Sequence, residues 1–249
     1  MTNTPPLAGK IALVTGGSRS IGAAIAKRLG ADGAAIALTY HGSPAKADEV
    51  VKAIESAGGR ALAIQADAGD PAAVRSAVAR TVETFGGLDI LVNNAGAAIN
   101  GPIDDYAFAD YERMLAVNVT GAFVATQEAI RHMKTGGRVI QIGSSMARYA
   151  AFPGASVYTL TKGAIAGFNR SLVRDLGPRG ITVNTVHPGP TDTDMNPDGG
   201  PVSAIVGPGI AVGRYGQVEE IAAAVAYLAG PEAAFVTGAE LLVDGGFTA

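Results

Sequence analysis

Ile11-Ala12-Leu13-Val14 runs without a break into Thr15-Gly16-Gly17-Ser18-Arg19-Ser20-Ile21-Gly22. Four apolar residues followed by a glycine-rich turn read as a buried strand handing the chain to a helix. The helical pattern follows at once: Ile21, Ala24, Ile25 and Leu29 fall on one side, and the stretch closes near Gly30 and Gly33. Glycines at such a junction permit a tight turn and the close approach of a phosphate, which free N–H groups and the helix dipole then hold. An ordinary strand-to-helix turn has the same composition, so the loop alone leaves both readings open.

Outward from this unit the alternation repeats. Ala35 to Thr39 is a second apolar run, and Ala45 to Ala57 carries Val50, Val51 and Ile54 at helical spacing. Strand-like runs follow at Ala61–Gln65, Ile90–Asn93, Arg138–Ile142, Thr182–His187 and Glu240–Val243. Helix-like stretches are Pro71–Phe85, Asp110–His132, Ser156–Asp175 and Val218–Ala229. Apolar runs separated by helices specify a parallel sheet covered on both faces. The expected fold is α/β, one doubly wound domain over residues 1–249 with about seven strands. Ligands of such sheets bind outside the carboxyl ends of the strands.

Composition removes several function classes. The 249 residues are 48% hydrophobic and 16% charged, with 34 glycines, which suits a large core with many tight turns. A net charge of −3 offers nothing to nucleic acid or an anionic membrane. There is no cysteine for a disulfide, thiolate site or nucleophile, and His41, His132 and His187 are scattered, so no metal site is expected. Met1 to Lys10 lacks the basic and apolar regions of a leader, and no apolar run reaches membrane length, so a cytoplasmic protein is expected.

Tyr158 and Lys162 stand four residues apart in the helix-like stretch from Ser156. On a helix they share a face, with Cβ atoms about 5–6 Å apart. An ammonium near a phenol lowers its pKa, and a tyrosine so tuned can exchange a proton with an alcohol or carbonyl near neutral pH. Lowering a phenol by about three units needs roughly 4 kcal/mol. The pair alone would equally suit a solvated helix face.

The ordered set Thr15-Gly16-x-x-x-Ser20-x-Gly22, Asn93-Asn94-Ala95-Gly96 and Tyr158-x-x-x-Lys162 resembles the short-chain dehydrogenase/reductase family from about Leu7 to Phe247. The resemblance implies a Rossmann-type fold and a catalytic group of Asn118, Ser144, Tyr158 and Lys162. Asn118 lies in Met114–Gly121, similar to the family segment whose Asn bends a helix and holds a water beside the lysine. Two serines follow Gly143. Counting along the strand selects Ser144, while the commonest family spacing back from Tyr158 selects Ser145; strand alternation favours Ser144.

The same resemblance implies an NADP(H) site. Gly16, Ser18, Arg19, Ser20 and Ile21 would hold phosphates. Ser20 stands where the family usually has its middle glycine, a change of small cost if its φ is negative. After the second strand come Tyr40, His41, Gly42 and Ser43, with no acid before Asp48, so nothing repels a 2′-phosphate, and Arg19 offers it a charge. Asp67 and Ala68 match the pair that meets the adenine, although Asp67 could instead cap a helix, a role that better suits Asp70. Asn94, Ala95 and Gly96 would line a ribose, Lys162 would bind the other ribose beside Tyr158, and Pro188, Gly189, Thr191 and Thr193 would hold the carboxamide. The stretch near 190–213, rich in Gly and Pro with Ile205, Val206 and Ile210, reads as a substrate lid, or else as a core loop.

The implied activity is hydride transfer between NADP(H) and a small-molecule ketone or secondary alcohol, of the 3-oxoacyl or small and aromatic class. The alternative is a nucleotide-binding regulator, since Thr191–Pro201 and the end from Gly230 resemble a biofilm-dispersal branch that binds cyclic di-GMP. A homotetramer is implied through the helices Asp110–His132 and Ser156–Asp175, where Ala164, Ala166 and Gly167 would permit close packing.

Overall fold

The structure, a computed structural model, describes residues 4–249, so Met1–Asn3 of the leader reading lie outside the described residues. Seven parallel strands form one sheet: β1 (Ile11–Val14), β2 (Ala35–Tyr40), β3 (Arg60–Gln65), β4 (Ile90–Asn93), β5 (Arg138–Ile142), β6 (Thr182–Pro188) and β7 (Glu240–Val243). Their order is β3-β2-β1-β4-β5-β6-β7. Leu13 sits opposite Ala37 on one side and Leu91 on the other. The chain therefore reverses direction across the sheet between β1 and β4, and there the strand ends part to leave a crevice.

Side chains alternate across each strand, so the single core divides in two. Ala12 and Val14 join Ile36, Leu38, Ile90 and Val92 beneath α1 (Ser20–Ala31), α2 (Pro44–Ser56) and the later helix Val218–Ala229. Ile11 and Leu13 join Leu91, Val139 and Val183 beneath α3 (Pro71–Phe85) and the helices that follow. The central strands are buried on both faces, which is why Ile11–Val14 and Ile90–Val92 read as unbroken apolar runs. Asp70 caps α3, its carboxylate accepting from Ala72 N–H at 2.9 Å.

The stretch read as one helix over Asp110–His132 is interrupted. α4 (Phe108–Leu115) passes through a π turn at Ala116–Thr120 into α5 (Gly121–Ala129). Asn118 lies in that turn, where the helical backbone pattern is reset. α6 runs from Ser156 to Leu176 and α8 from Val218 to Ala229. Among the described residues no helix is long and apolar enough to cross a membrane.

Two expectations meet the observed packing. The 190–213 segment contains a short helix, α7 (Ser203–Val206), and Val206 and Ile210 are buried with Tyr215 and Phe247 in a small separate cluster. Part of that segment is thus packed as a core loop, while Met195, Ile205 and Val212 remain exposed. On α6, Ala166 is buried in the protomer and so is not available to an outer face, whereas Ala164 is exposed. Helical rotation puts residues two apart on different sides.

Candidate active site and nucleotide cleft

At the β1/β4 parting a cleft of about 600 Å³ opens along the carboxyl edge of the sheet. Its floor is tied together by Asn94. That side chain donates to the carbonyls of Thr15 and Gly16 at 2.9 and 3.0 Å, while the Thr15 hydroxyl accepts from Asn94 and Ala95 N–H, each at 3.0 Å. The glycines here are steric requirements. A Cβ on Gly22 would lie 2.2 Å from the Gly16 carbonyl oxygen, and one on Gly16, at φ +64°, 2.9 Å from Ala95 Cα.

The condition under which Ser20 would cost little is not met: it sits at φ +48°, in the left-handed region that its position's usual glycine tolerates. The turn into α1 requires that step, and its Oγ accepts a hydrogen bond from Asp194 N–H at 3.2 Å. Arg19 is not a free loop charge either. Its guanidinium lies 3.5 Å from the Asp194 carboxylate, which Lys46 also reaches at 2.9 Å.

Gly16, Ser18, Arg19, Ser20, Ile21, Tyr40, His41, Gly42, Ser43, Asp67, Ala68, Asn94, Ala95, Gly96, Pro188, Gly189, Thr191 and Thr193 all line this cleft, as do Ser144, Tyr158 and Lys162. Asn118 stands one layer back. Its Oδ1 accepts from Ala97 N–H at 2.8 Å, and its Nδ2 donates to the Ala97 carbonyl and the Thr161 hydroxyl at 2.9 and 3.0 Å. The Asp67 carboxylate is held by both Arg113 Nη atoms at 2.9 Å and by Gly69 N–H at 2.8 Å, and Arg113 lowers its pKa. Thr191 donates to the Gly189 carbonyl, and the Thr193 hydroxyl accepts from Asn196 N–H.

Both serines after β5 face the cleft. Ser144 caps a single 3-10 turn, its Oγ accepting from Met146 N–H at 3.1 Å, which leaves the hydroxyl proton free to donate. Tyr158 and Lys162 share one face of α6 as the spacing implied, with the ammonium 5.7 Å from the ring centroid. The ammonium donates to the Ile142 carbonyl at 2.9 Å. Burial lowers Lys162 to about 8.

The expected lowering of Tyr158 is reversed. Burial pushes the phenol above its ordinary value, and a hydrogen bond from Ser144 only partly opposes this. Removal of the ring from water disfavours the phenolate, and the Lys162 charge is engaged with a backbone carbonyl.

Several residues escaped the sequence reading. His187, fully buried, lies under the Ser144 turn with Nδ1 2.9 Å from the Ser144 carbonyl oxygen. Burial also lowers its pKa, so it is neutral there. A Cβ on Gly143 would come within 2.4 Å of that ring nitrogen. Phe152, Phe247, Val202 and Val206 make the far wall apolar. Arg113, Lys46 and His187 each stand beside a motif, before Met114, just after Ser43 and before Pro188, but their partners Asp67, Asp194 and Ser144 lie 46, 148 and 43 residues away, so no local pattern gives them a role.

Known proteins share this arrangement. The family described as Enoyl-(Acyl carrier protein) reductase matches residues 16–248. The chain is 44% identical over 241 residues to a "Cyclic-di-GMP-binding biofilm dispersal mediator protein" of Escherichia coli, covering 97% of this chain and 98% of the relative. It is 40% identical over 262 residues to "Versicolorin reductase 1" of Aspergillus parasiticus, covering 99% of each. A short chain dehydrogenase of Burkholderia cenocepacia, solved in complex with NADP, superposes with a TM-score of 0.97 at 52% identity, covering 98% of this chain and 100% of that one. With the seven-stranded sheet, the glycine turn and the Tyr158–Lys162 face all in one chain, this likeness over nearly its whole length makes the protein a member of the short-chain dehydrogenase/reductase family of oxidoreductases.

Proposed function

We propose that the protein is an NADP(H)-dependent ketone reductase, acting on 3-oxoacyl or small and aromatic ketones. The observation that carries this reading is the meeting of Ser144, Tyr158 and Lys162 in one cleft with the glycine turn. The cleft fits a dinucleotide: Gly16, Ser18, Ser20 and Ile21 line it where α1 begins, and a helix N-terminus with free N–H groups holds a diphosphate. The absence of an acid at Tyr40–Ser43 and the presence of Arg19 fit a 2′-phosphate. The NADP-bound relative supports the same choice.

The glycine turn and the start of α1 hold the diphosphate, Asp67 and Ala68 meet the adenine, and Asn94–Gly96 line its ribose. Lys162 binds the nicotinamide ribose, while Pro188, Gly189, Thr191 and Thr193 hold the carboxamide. The bound nicotinamide supplies the hydride. As negative charge grows on the substrate oxygen, Ser144 donates a hydrogen bond to it and Tyr158 delivers its proton. Burial keeps the Tyr158 phenol protonated at neutral pH, so it has a proton to give, and the Lys162 ammonium on the same face opposes that burial as the phenolate forms. Asn118, in the π turn, orders a water from which Tyr158 regains its proton. The apolar wall of Phe152, Val202, Val206 and Phe247 accepts the body of the ketone, and the 190–213 segment acts as its lid.

The direct test mixes purified protein with NADPH and a panel of 3-oxoacyl thioesters and aromatic ketones, following loss of reduced-cofactor absorbance. Turnover of at least one ketone is expected; binding of NADPH without oxidation by any of them would defeat the reading. The E. coli relative's name favours one further reading, a nucleotide-binding regulator. Titration with cyclic di-GMP, alone and against NADPH, tests it.

Ser144→Ala should reduce kcat about 10²-fold or more, the scale of one lost oxyanion donor, and Ser145→Ala far less. Parallel kinetics on the two variants decide the assignment, and a harsher Ser145→Ala would reverse it. Lys162 also predicts a pH dependence. The ammonium form binds cofactor; it predominates at pH 7 and is half lost at about 8, so NADPH affinity should change little below pH 7 and fall as pH rises through 8. A fluorescence titration between pH 7 and 9 reads this directly; unchanged affinity at pH 9 would contradict it.

The protein assembles as a homotetramer, through faces bearing the exposed Phe108 of α4, Phe123 of α5 and Leu160 of α6. Light scattering at micromolar concentration should give four times the 25.0 kDa protomer mass. A monomer would remove this element.

A further inference from the structure

Lys46, in the first turn of α2, and Arg19, in the glycine turn, come from separate elements yet converge on one oxygen atom, Oδ2 of Asp194. The distances are 2.9 Å from the lysine and 3.5 Å from the arginine. Two cations held around a single acceptor oxygen form a socket for an anionic oxygen, and here a carboxylate fills it. Asp194 is drawn in by a third contact, its N–H donating to Ser20 Oγ. All three side chains are partly exposed, and Arg19 and Asp194 line the nucleotide cleft. The hydrogen bond and charge of Lys46, followed by the charge of Arg19, lower the Asp194 pKa, so the carboxylate is ionised at neutral pH.

We propose that Lys46 joins Arg19 in binding the 2′-phosphate of the cofactor, and that Asp194 occupies the same socket as an internal competitor. The inference rests on the NADP(H) reading and adds to it one specificity residue and one antagonist. A phosphate and the Asp194 carboxylate cannot share the socket, because like charges at that separation repel. A phosphate that enters must therefore displace Asp194 and forfeit its two ion pairs. Each exposed pair contributes a factor of about 1.4–5.

The test uses two fragments that leave out the nicotinamide and the reaction: adenosine 2′,5′-bisphosphate, which carries the phosphate in question, and AMP, which lacks it. Calorimetry measures both on the wild type, Asp194→Asn, Lys46→Ala and the double variant. Asp194→Asn should bind the bisphosphate about 3- to 10-fold more tightly, with AMP unchanged. Lys46→Ala should weaken the bisphosphate about 3-fold or more once its lost pair with Asp194 is subtracted, again sparing AMP, and in that background Asp194→Asn should gain less. Unchanged or weaker bisphosphate binding in Asp194→Asn, or undiminished binding in Lys46→Ala, overturns the proposal while a wild-type preference for the bisphosphate keeps the NADP(H) reading. If the wild type binds both fragments equally, the NADP(H) reading fails first and takes this inference with it.

Discussion

Tyr158→Phe is expected to bind NADPH with near wild-type affinity and to turn over ketones at least about 10²-fold more slowly, the scale of a lost general acid. The substitution keeps the ring that packs half-buried in the cleft, 5.7 Å from Lys162, and removes only the hydroxyl. Ser144 remains, so the substrate oxygen still receives one hydrogen bond and turnover does not vanish. What disappears is the group whose proton must arrive as the carbon–hydride bond forms. Fluorescence titration for binding and steady-state kinetics for turnover separate the two effects. A variant that loses binding as well would show that the hydroxyl organises the cofactor rather than protonates the product.

Arg19→Ala is expected to weaken NADPH and leave NADH almost untouched. A charge-assisted hydrogen bond is worth about 1.5–3 kcal/mol, which corresponds to roughly 10- to 150-fold. The pairing of Arg19 with Asp194 trims this by up to about fivefold, because the free protein also loses an interaction. His41→Asp, which sets an acid at the end of β2, should act in the same direction by repelling the phosphate and accepting from a ribose hydroxyl. The measurement is kcat/KM with both cofactors on each variant. Equal losses for NADPH and NADH in Arg19→Ala would show that the arginine does not read the 2′-phosphate.

The strands were legible because both faces of the sheet are buried. Ile11–Val14, Ile90–Asn93 and Arg138–Ile142 read as runs with few polar interruptions and appear with those bounds. Helix α3 was bounded by its own chemistry, Asp70 and Pro71 at one end and Gly86 at φ +89° at the other. The π turn was harder to see, since Leu115, Ala116, Thr120 and Gly121 keep right-handed helical dihedrals on either side of it and the hydrogen-bond register changes between them. Sequence spacing records a face, not a register slip. The four-residue spacing of Tyr158 and Lys162 placed them together correctly, but the sign of the tyrosine shift depended on desolvation, which the spacing does not carry.

Long-range polar contacts formed the other illegible class. Lys46 and Asp194 are 148 residues apart in the chain, and His187 reaches Ser144 across 43. Each is an ordinary residue in its local context and acquires a role only when neighbouring strand ends meet. Ser20 is intermediate. Its departure from glycine was visible, but its left-handed backbone follows from the turn the loop must make.

The proposed reaction is hydride transfer from NADPH to a ketone carbon in the cleft beside Tyr158. The most direct measurement uses NADPH carrying deuterium on one face of the nicotinamide C4, prepared as each of the two labelled forms, with a ketone that is turned over. Mass spectrometry of the alcohol should find one deuterium on the carbinol carbon from one labelled form and none from the other. An alcohol unlabelled from both forms, or no alcohol from any ketone while NADPH is bound, would contradict the account.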